Sequence, residues 1–330
     1  MAETYSRRRA IAIFAAVAGL PLLTGAKAAE SPVTWAGQAL GAPATLILNH
    51  QDKAAAGRLI DRVVAEVARL EAIFSLYRED SGLTELNRVG VLVAPPADLV
   101  SLLEAGRHFW EMTGGAFDPT VQPLWVLYRS HFARLDADPS GPSPKAIGRA
   151  LANVGFDAIR NDRDRIVMRS GMALTLNGIA QGYITDRIVD VLRAAGVTSS
   201  LVDMGENRAI GAKADGSPWR IGLADIEGSD SPDQVLDVVN RAVATSSATG
   251  FYFDNAGRFG HIVDPRDGAA PTLYRRVSVI ADEAATADAL STAFTLMDEN
   301  HIASVVSVLP DVTVDLVRAS GVHVRLGRTV

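Results

Sequence analysis

The sequence predicts an α+β fold, in which mixed sheets and flanking helices form one compact unit of one or two lobes. Three observations support this prediction. Helical periodicity and short strand-like runs are mixed along the 330 residues without a regular βαβ order. The chain has no glycine- or serine-rich linker long enough to mark a domain boundary. The composition is globular, since 48% of the residues are hydrophobic and 21% are charged.

Helices are predicted where apolar residues recur every three to four positions between residues that begin or end a helix. Leu59, Val63 and Val67 show this spacing in the first predicted helix. Asp98 is a candidate N-cap for the second, and Gly196 follows the fourth as a C′ glycine. The predicted helices span 57–74, 98–112, 144–153, 180–195 and 286–297.

Strands are predicted where short apolar runs lie between turn residues. The run at 234–244 is the longest of them, and apolar residues continue in strand-like stretches from 305 to 316. The segment 75–93 is polar and turn-rich, so no element is predicted there. The predicted strands lie at 45–49, 166–168, 173–176, 199–203, 219–224, 234–244, 259–264 and 276–281.

The chain has no cysteine, and its net charge is −6. The first fact excludes disulfides, thiolate metal sites, a cysteine nucleophile and a lipid-modified N-terminal cysteine. The second does not favour nucleic-acid binding, which usually needs a basic surface. We therefore expect no nucleic-acid partner.

Residues 1–28 have the pattern of a bacterial export signal. Arginines at 7–9 precede an apolar, alanine-rich run, and a small-x-small processing pattern ends at Ala28. The paired arginines predict the twin-arginine route and a periplasmic mature chain, 29–330, that does not insert into the membrane. An uncleaved anchor is the alternative, although Pro21 interrupts the short run. Removing the signal changes the net charge from −6 to −9.

Two glycine-bearing segments are candidates for binding a ligand. In the first, from Thr113 to Thr120, glycines let the backbone approach a ligand closely, and the alternative is an ordinary loop that stops a helix. In the second, from Thr175 to Tyr183, a strand enters a helix through small residues. Backbone N–H groups and the helix dipole there suit a phosphate, and close packing that requires glycine is the alternative.

Two further segments carry polar groups. Asp203 to Asn207 follow an apolar strand, where a tight turn is the alternative to a ligand site. Asp288 and Thr292 are four residues apart on a predicted helix, so their oxygens share a face and suit Mg²⁺. The alternative is that Asp288 complements the helix dipole. His261 is either a functional or a structural histidine.

In combination these segments resemble the ApbE family, over about residues 35–325. The resemblance implies a T-fold-like α+β unit and the activity of an FAD:protein FMN transferase. Such enzymes use Mg²⁺ to attach FMN from FAD to a threonine of a membrane or periplasmic protein, and they release AMP. The five ordered motifs are T-G-G-A-F-D-P-T from Thr113, G-I-A-Q-G-Y-I-T-D from Gly178, V-D-M-G from Val202, H-I-V-D-P from His261 and A-D-A-L-S-T-A from Ala287.

The resemblance also implies roles for single residues. Asp288, Thr292 and a backbone carbonyl near Gly178 would hold the Mg²⁺, with Ala180 as the alternative to Gly178. His261 would deprotonate the acceptor threonine, because histidine titrates near neutral pH. His261 and Asp288 are thus the candidate catalytic residues. The residues implied to contact FAD are Tyr77, Ala116, Phe117, Asp118, Thr175, Gln181, Thr245, Ser246, His261 and Ile262.

The sequence departs from the family pattern at three places. Gln181 stands where a lysine is common, Thr175 where an aspartate is frequent, and Glu206-Asn207 where glycine and aspartate are usual. The leader and the absence of cysteine resemble the NosX subgroup, which is associated with nitrous oxide reductase maturation and supplies flavin to the membrane protein NosR. Two alternatives stay open, an FAD-binding or delivery protein without transferase activity and a metal-dependent FAD pyrophosphatase.

Overall fold

The computed structural model describes residues 32–224, 232–247 and 250–328. The predicted export signal lies outside these ranges. Within them, no helix is both long enough and apolar enough to cross a membrane.

The described residues form eight α-helices and thirteen β-strands. The helices are α1 (Lys53–Phe74), α2 (Gly82–Val89), α3 (Ala97–Met112), α4 (Gln122–Phe132), α5 (Pro144–Leu151), α6 (Ala180–Ala194), α7 (Ala284–Phe294) and α8 (Glu299–Ser307). The strands are β1 (Val33–Ala39), β2 (Ala42–Leu48), β3 (Val91–Val93), β4 (Arg160–Asn161), β5 (Arg165–Val167), β6 (Ser200–Asp203), β7 (Asn207–Ile210), β8 (Trp219–Leu223), β9 (Gln234–Val238), β10 (Ala242–Ser246), β11 (Tyr274–Ala281), β12 (Thr313–Arg318) and β13 (His323–Gly327).

One large antiparallel sheet organises the molecule. Its eight strands lie in the order β1-β2-β6-β7-β10-β11-β12-β13, and every neighbouring pair is antiparallel. A small sheet of β3, β5 and β4 and the β8–β9 hairpin complete the strands. Helices thus flank sheets in a non-alternating order, which confirms the predicted α+β class.

The middle strands of the large sheet carry buried apolar residues on both faces, since successive side chains of a strand point to opposite sides. On the inner face, Ala244 and Val279 belong to the main core, which helices α1, α3, α6 and α7 also line. On the outer face, Val243 and Ile280 contact a second cluster that the β8–β9 hairpin covers with Trp219 and other apolar residues. The inner core positions the candidate site, since α6 and α7 pack there.

Helices α6 and α7 pack against each other at very close range. A Cβ added to Gly182 would lie 2.3 Å from the carbonyl oxygen of Ala284, and one added to Gly178 would lie 3.1 Å from Thr292 Oγ1. One turn after Gly182, the Asp186 carboxylate accepts a hydrogen bond of 2.8 Å from the backbone N–H of Ala284. Only glycine permits the contact at position 182, where any side chain would overlap the backbone of α7.

In the first half of the chain the structure differs from the predicted elements in the capping of α3, in two additional helices, and in β1, β3 and β4, which lie where no strand is predicted. Pro96, rather than Asp98, occupies the N-cap position of α3. The Asp98 carboxylate instead accepts hydrogen bonds from Arg69 and from the Tyr183 hydroxyl. Helix α2 lies within the stretch 75–93, where its short apolar face is not recognised among many polar residues. Helix α4 also lies where no element is predicted.

In the second half, three predicted strands differ from those of the structure. Residues 173–176 and 259–264 lie outside the strands, and 234–244 is divided into β9 and β10 by a turn in which Asn240 has a positive φ of 53°. The apolar residues from 305 begin in helix α8, which Asp298 caps, before β12 starts. Alternating valines in a short segment fit either a strand or one face of a helix.

A Gly182→Ala substitution tests the close packing of α6 and α7. We expect it to lower the free energy of unfolding by about 1–3 kcal/mol, because the added methyl group must push the helices apart. Gly57→Ala in α1 is the matched control, since its added Cβ meets nothing within 4 Å. That change should stabilise by about 0.5–1 kcal/mol through helix propensity. Urea unfolding measures both, and equal stabilities would contradict the packing.

Candidate functional site

The polar centre of the α6–α7 contact is Asp288. This residue is 4% exposed, and its Oδ2 accepts a hydrogen bond of 3.0 Å from the backbone N–H of Gly182. Thr292 lies one helical turn further along α7, against the backbone of Gly178. The structure therefore brings Gly178, Asp288 and Thr292 together at the junction where the chain enters α6.

The oxygens at this junction suit a hard cation. Asp288 can supply a carboxylate oxygen, Thr292 a hydroxyl, and the segment from Gly178 to Ala180 a backbone carbonyl, which are ligand types that Mg²⁺ accepts. No group of three or more histidine, aspartate or glutamate side chains in the described ranges could hold a metal ion. A cation at this site would therefore need further oxygens from a ligand or from water, as is usual for Mg²⁺.

Hydroxyl groups from β10 and α7 extend the polar junction. Ser246 Oγ lies 2.8 Å from Ser291 Oγ and 3.5 Å from Thr292 Oγ1. Ser246 is the last residue of β10, so the end of this central strand meets the site. The predicted contact residue Ser246 thus lies beside Ser291 and beside Thr292, one of the two α7 residues that were predicted to bind metal.

Thr245 faces the opposite side of the sheet from Ser246. Its hydroxyl lies 2.8 Å from Ser278 Oγ, and Ser278 also accepts a hydrogen bond from the buried guanidinium of Arg276. Arg276 is 0% exposed and forms an ion pair of 2.9 Å with Asp315. This polar cluster on the outer face was not predicted from the sequence. The signal for it was Arg276, a charged residue inside the apolar strand β11.

The predicted contact residues at 116–118 lie in a tightly bonded loop. Asp118 Oδ1 accepts a hydrogen bond of 2.7 Å from the Thr120 backbone N–H, and Oδ2 accepts one of 3.2 Å from Phe156. Burial raises the pKa of the Asp118 carboxyl, while these hydrogen bonds act in the opposite direction. Ala116 and Phe117 are also buried. Because all three side chains pack inside the protein, backbone groups would make most ligand contacts here.

The segment before α6 is held by side-chain and loop contacts instead of a strand. Asn87 Nδ2 donates to the Leu174 carbonyl at 2.9 Å, and the Leu174 N–H donates to Asn87 Oδ1 at 2.7 Å. The next residue, Thr175, donates its N–H to the Pro119 carbonyl at 2.8 Å. The predicted segments at 113–120 and 175–183 are therefore neighbours in the fold. Gln181, in the first turn of α6, is buried.

His261 lies at the base of a hairpin formed by residues 251–261. Its backbone N–H donates to the Phe251 carbonyl at 3.0 Å, and its ring Nδ1 lies 3.4 Å from the same oxygen. Ile262 is buried directly after it. The following loop is joined to the end of α7, since Arg266 donates to the Leu296 carbonyl at 2.7 Å. Tyr77 lies at the surface, with 61% of its area exposed.

Known proteins are similar to this chain in sequence and in fold. The model of the ApbE family matches residues 40–314. An FAD:protein FMN transferase of Treponema pallidum is 32% identical over 256 residues, which are 71% of this chain and 70% of that protein. One from Vibrio cholerae serotype O1 is 30% identical over 299 residues, which are 87% of each chain.

Solved structures agree with the sequence comparison. The apo form of the flavinyl transferase ApbE from Pseudomonas stutzeri superimposes with a TM-score of 0.76 at 29% identity, covering 90% of this chain and 94% of that one. The ApbE protein of Thermotoga maritima gives a TM-score of 0.78 at 29% identity, covering 90% and 97%. The fold is thus that of the flavin transferases, and the protein is an enzyme of the transferase class. The chain belongs to the ApbE family.

An Asn87→Ala substitution tests how the segment before α6 is held. It removes both bonds to Leu174, which is 0% exposed, and leaves two buried backbone groups unsatisfied. We expect a loss of about 2–4 kcal/mol in unfolding free energy and faster amide hydrogen exchange at 173–180. Asn300→Ala, at an exposed position of α8, is the control and should change stability by less than about 0.5 kcal/mol. Similar losses in the two variants would contradict this role of Asn87.

Proposed function

We propose that the chain transfers FMN from FAD to a threonine hydroxyl of an acceptor protein and releases AMP, with Mg²⁺ bound between α6 and α7. The observation that carries the proposal is the convergence of Gly178, Asp288 and Thr292 on one buried junction. The names of the ApbE-family relatives support FAD as the substrate and a protein as the acceptor.

The junction offers oxygen ligands for a cation, and such a cation would offset the negative charge of the FAD pyrophosphate. Asp288, Thr292 and the carbonyl of Gly178, or alternatively of Ala180, would hold the cation. A bound Mg²⁺ would neutralise the negative charge that develops on the pyrophosphate as it is cleaved. Helix α6 begins at Ala180, so the positive end of its dipole lies at the same place. Local groups are needed, because the chain as a whole is acidic.

His261 is the proposed base. It would accept the proton of the acceptor threonine hydroxyl as that oxygen bonds to the FMN-side phosphorus and the bond from this phosphorus to the bridging oxygen breaks. The bridging oxygen leaves with AMP. Tyr77, Thr175, Ser246 and the loop at 116–118 would orient the nucleotide, and Gln181 would contribute an uncharged group there.

The setting of the reaction is a further part of the proposal. The export pattern in residues 1–28 supports a periplasmic enzyme that is exported by the twin-arginine route. That leader and the absence of cysteine support the NosX subgroup, with a NosR-like membrane protein as acceptor and a role in denitrification. A deletion strain in which a NosR-like acceptor keeps its covalent flavin would refute this part alone.

Gln181 supports a second candidate function, in which the protein binds and delivers FAD without transfer. An uncharged amide at this position provides less stabilisation of a departing phosphate than the lysine common in the family. Incubating the purified protein with FAD, Mg²⁺ and an acceptor domain separates the possibilities. Covalent flavin on the acceptor supports transfer, AMP and free FMN without acceptor labelling supports a pyrophosphatase, and bound but intact FAD supports delivery.

Asp288→Asn tests the proposed cation ligand. The amide keeps the size of the side chain but removes its charge, so we expect AMP release and acceptor labelling to fall by about 100-fold or more. Asp298→Asn, at the exposed N-cap of α8, is the matched control and should keep full activity. In-gel flavin fluorescence and chromatography of AMP measure both products. Full activity of the Asp288 variant would refute the assignment.

His261→Gln tests the proposed base. Loss of general base catalysis should slow acceptor labelling by about 10²–10⁴-fold, while FAD affinity measured by fluorescence stays close to that of the unchanged protein. Raising the pH should recover part of the rate, because hydroxide can then replace the missing base. Labelling at the original rate would assign His261 a structural role in its hairpin.

A further inference from the structure

The first turn of helix α7 receives its cap from a neighbouring helix. The N-cap residue of α7, Glu283, makes no side-chain capping bond. Instead, Asp186 of α6 accepts hydrogen bonds from the backbone N–H groups of Ala284, at 2.8 Å, and Ala285, at 2.9 Å. A carboxylate at this position satisfies two unpaired donors and also complements the positive end of the helix dipole.

Arg208 of β7 completes the arrangement. Its Nη1 lies 2.5 Å from Asp186 Oδ1, and the two side chains are only 9% and 14% exposed. The positive guanidinium thus offsets the charge of the buried Asp186 carboxylate, which accepts three hydrogen bonds through its two oxygens. This pair connects strand β7 of the central sheet to the middle of α6 and to the first turn of α7.

The contacts between the two helices repeat at intervals of one turn. On one side they involve Gly178, Gly182 and Asp186, and on the other Thr292, Asp288 and Ala284, in antiparallel order. The two glycines allow close approach, but they have no side chains to prevent α7 from sliding along its axis. Two of these contacts are directional hydrogen bonds to a carboxylate. Asp288 accepts one from the Gly182 N–H, whereas Asp186 accepts two, from the Ala284 and Ala285 N–H groups at the start of α7.

We propose that Asp186 and Arg208 are positioning residues for the cation site, because they set the axial position of α7 and hence the place of Asp288 relative to Gly178. The proposal rests on the proposed function, since it concerns the same site. Ala284 is one turn before Asp288, and a helix transmits a displacement of its first turn to the next. Neither positioning residue touches the cation or the nucleotide in this proposal.

The test compares Asp186→Asn with Asp190→Asn, in the full chain. Asp190 is one turn further along α6 and forms an exposed ion pair with Arg187, so it controls for loss of an acidic side chain from the same helix. Mn²⁺ serves as the probe, and its affinity in the presence of FAD is measured by electron paramagnetic resonance. FAD affinity in EDTA is measured separately by fluorescence.

We expect Asp186→Asn to weaken Mn²⁺ binding by about 10–100-fold, as for other groups that orient metal ligands, with unchanged FAD affinity in EDTA. Hydrogen exchange at 283–288 should accelerate in the same variant. Asp190→Asn should change none of these quantities. Wild-type Mn²⁺ affinity in Asp186→Asn, or equal weakening in the control, would overturn the proposal.

A double variant separates positioning from general loss of stability. Asp186→Asn alone leaves the Arg208 charge buried without compensation, which destabilises the fold. Combining it with Arg208→Gln removes both charges, so the thermal midpoint should recover while Mn²⁺ binding stays weak. Recovery of both would overturn the proposal. If the unchanged protein with FAD binds no Mn²⁺, the proposed cation site fails, and this proposal fails with it.

Discussion

The close approach of α6 and α7 is the constraint on which the candidate site depends. Gly182 brings the backbone of α6 so near to α7 that its N–H reaches the buried Asp288 carboxylate. Gly178, one turn away, leaves room for the Thr292 side chain to lie close to its backbone. A larger residue at either position would separate the oxygens that the proposed cation needs. Glycine in these positions is therefore a condition for the close packing and for the proposed cation site.

Polar side chains of the central sheet lie on its two faces and have different neighbours on each. Ser246 points to α7 and joins the site, whereas its neighbour Thr245 points to the outer face and contacts Ser278. The outer face holds the buried Arg276–Asp315 pair, which lies away from Ser291 and Thr292. One strand thus contributes Ser246 to the candidate site and Thr245 to the polar cluster on the opposite face, because the side-chain period of a strand is two residues.

Long helices and the main motifs were predictable, because they depend on local patterns. The spacing of Leu59, Val63 and Val67 predicted α1 well, and Asp288 and Thr292 were placed on one helical face by their separation alone. Some short elements were not predicted, among them α2 and β3, although β6 and β8 were. Asn87 makes two hydrogen bonds with the backbone of Leu174, as a neighbouring strand would. The two residues are 87 positions apart, and no local pattern indicates such a contact.

The sequence by itself determined the α+β class, the family and the residue types at the candidate site, because periodicity and motif order depend only on the order of residues in the chain. Only the tertiary structure decided which of those residues meet. Asp186 caps α7 across 98 residues, and Asn87 pairs with a segment far from it in sequence. Such contacts arise when distant elements pack, and each depends on distances of a few ångströms that residue order alone does not specify.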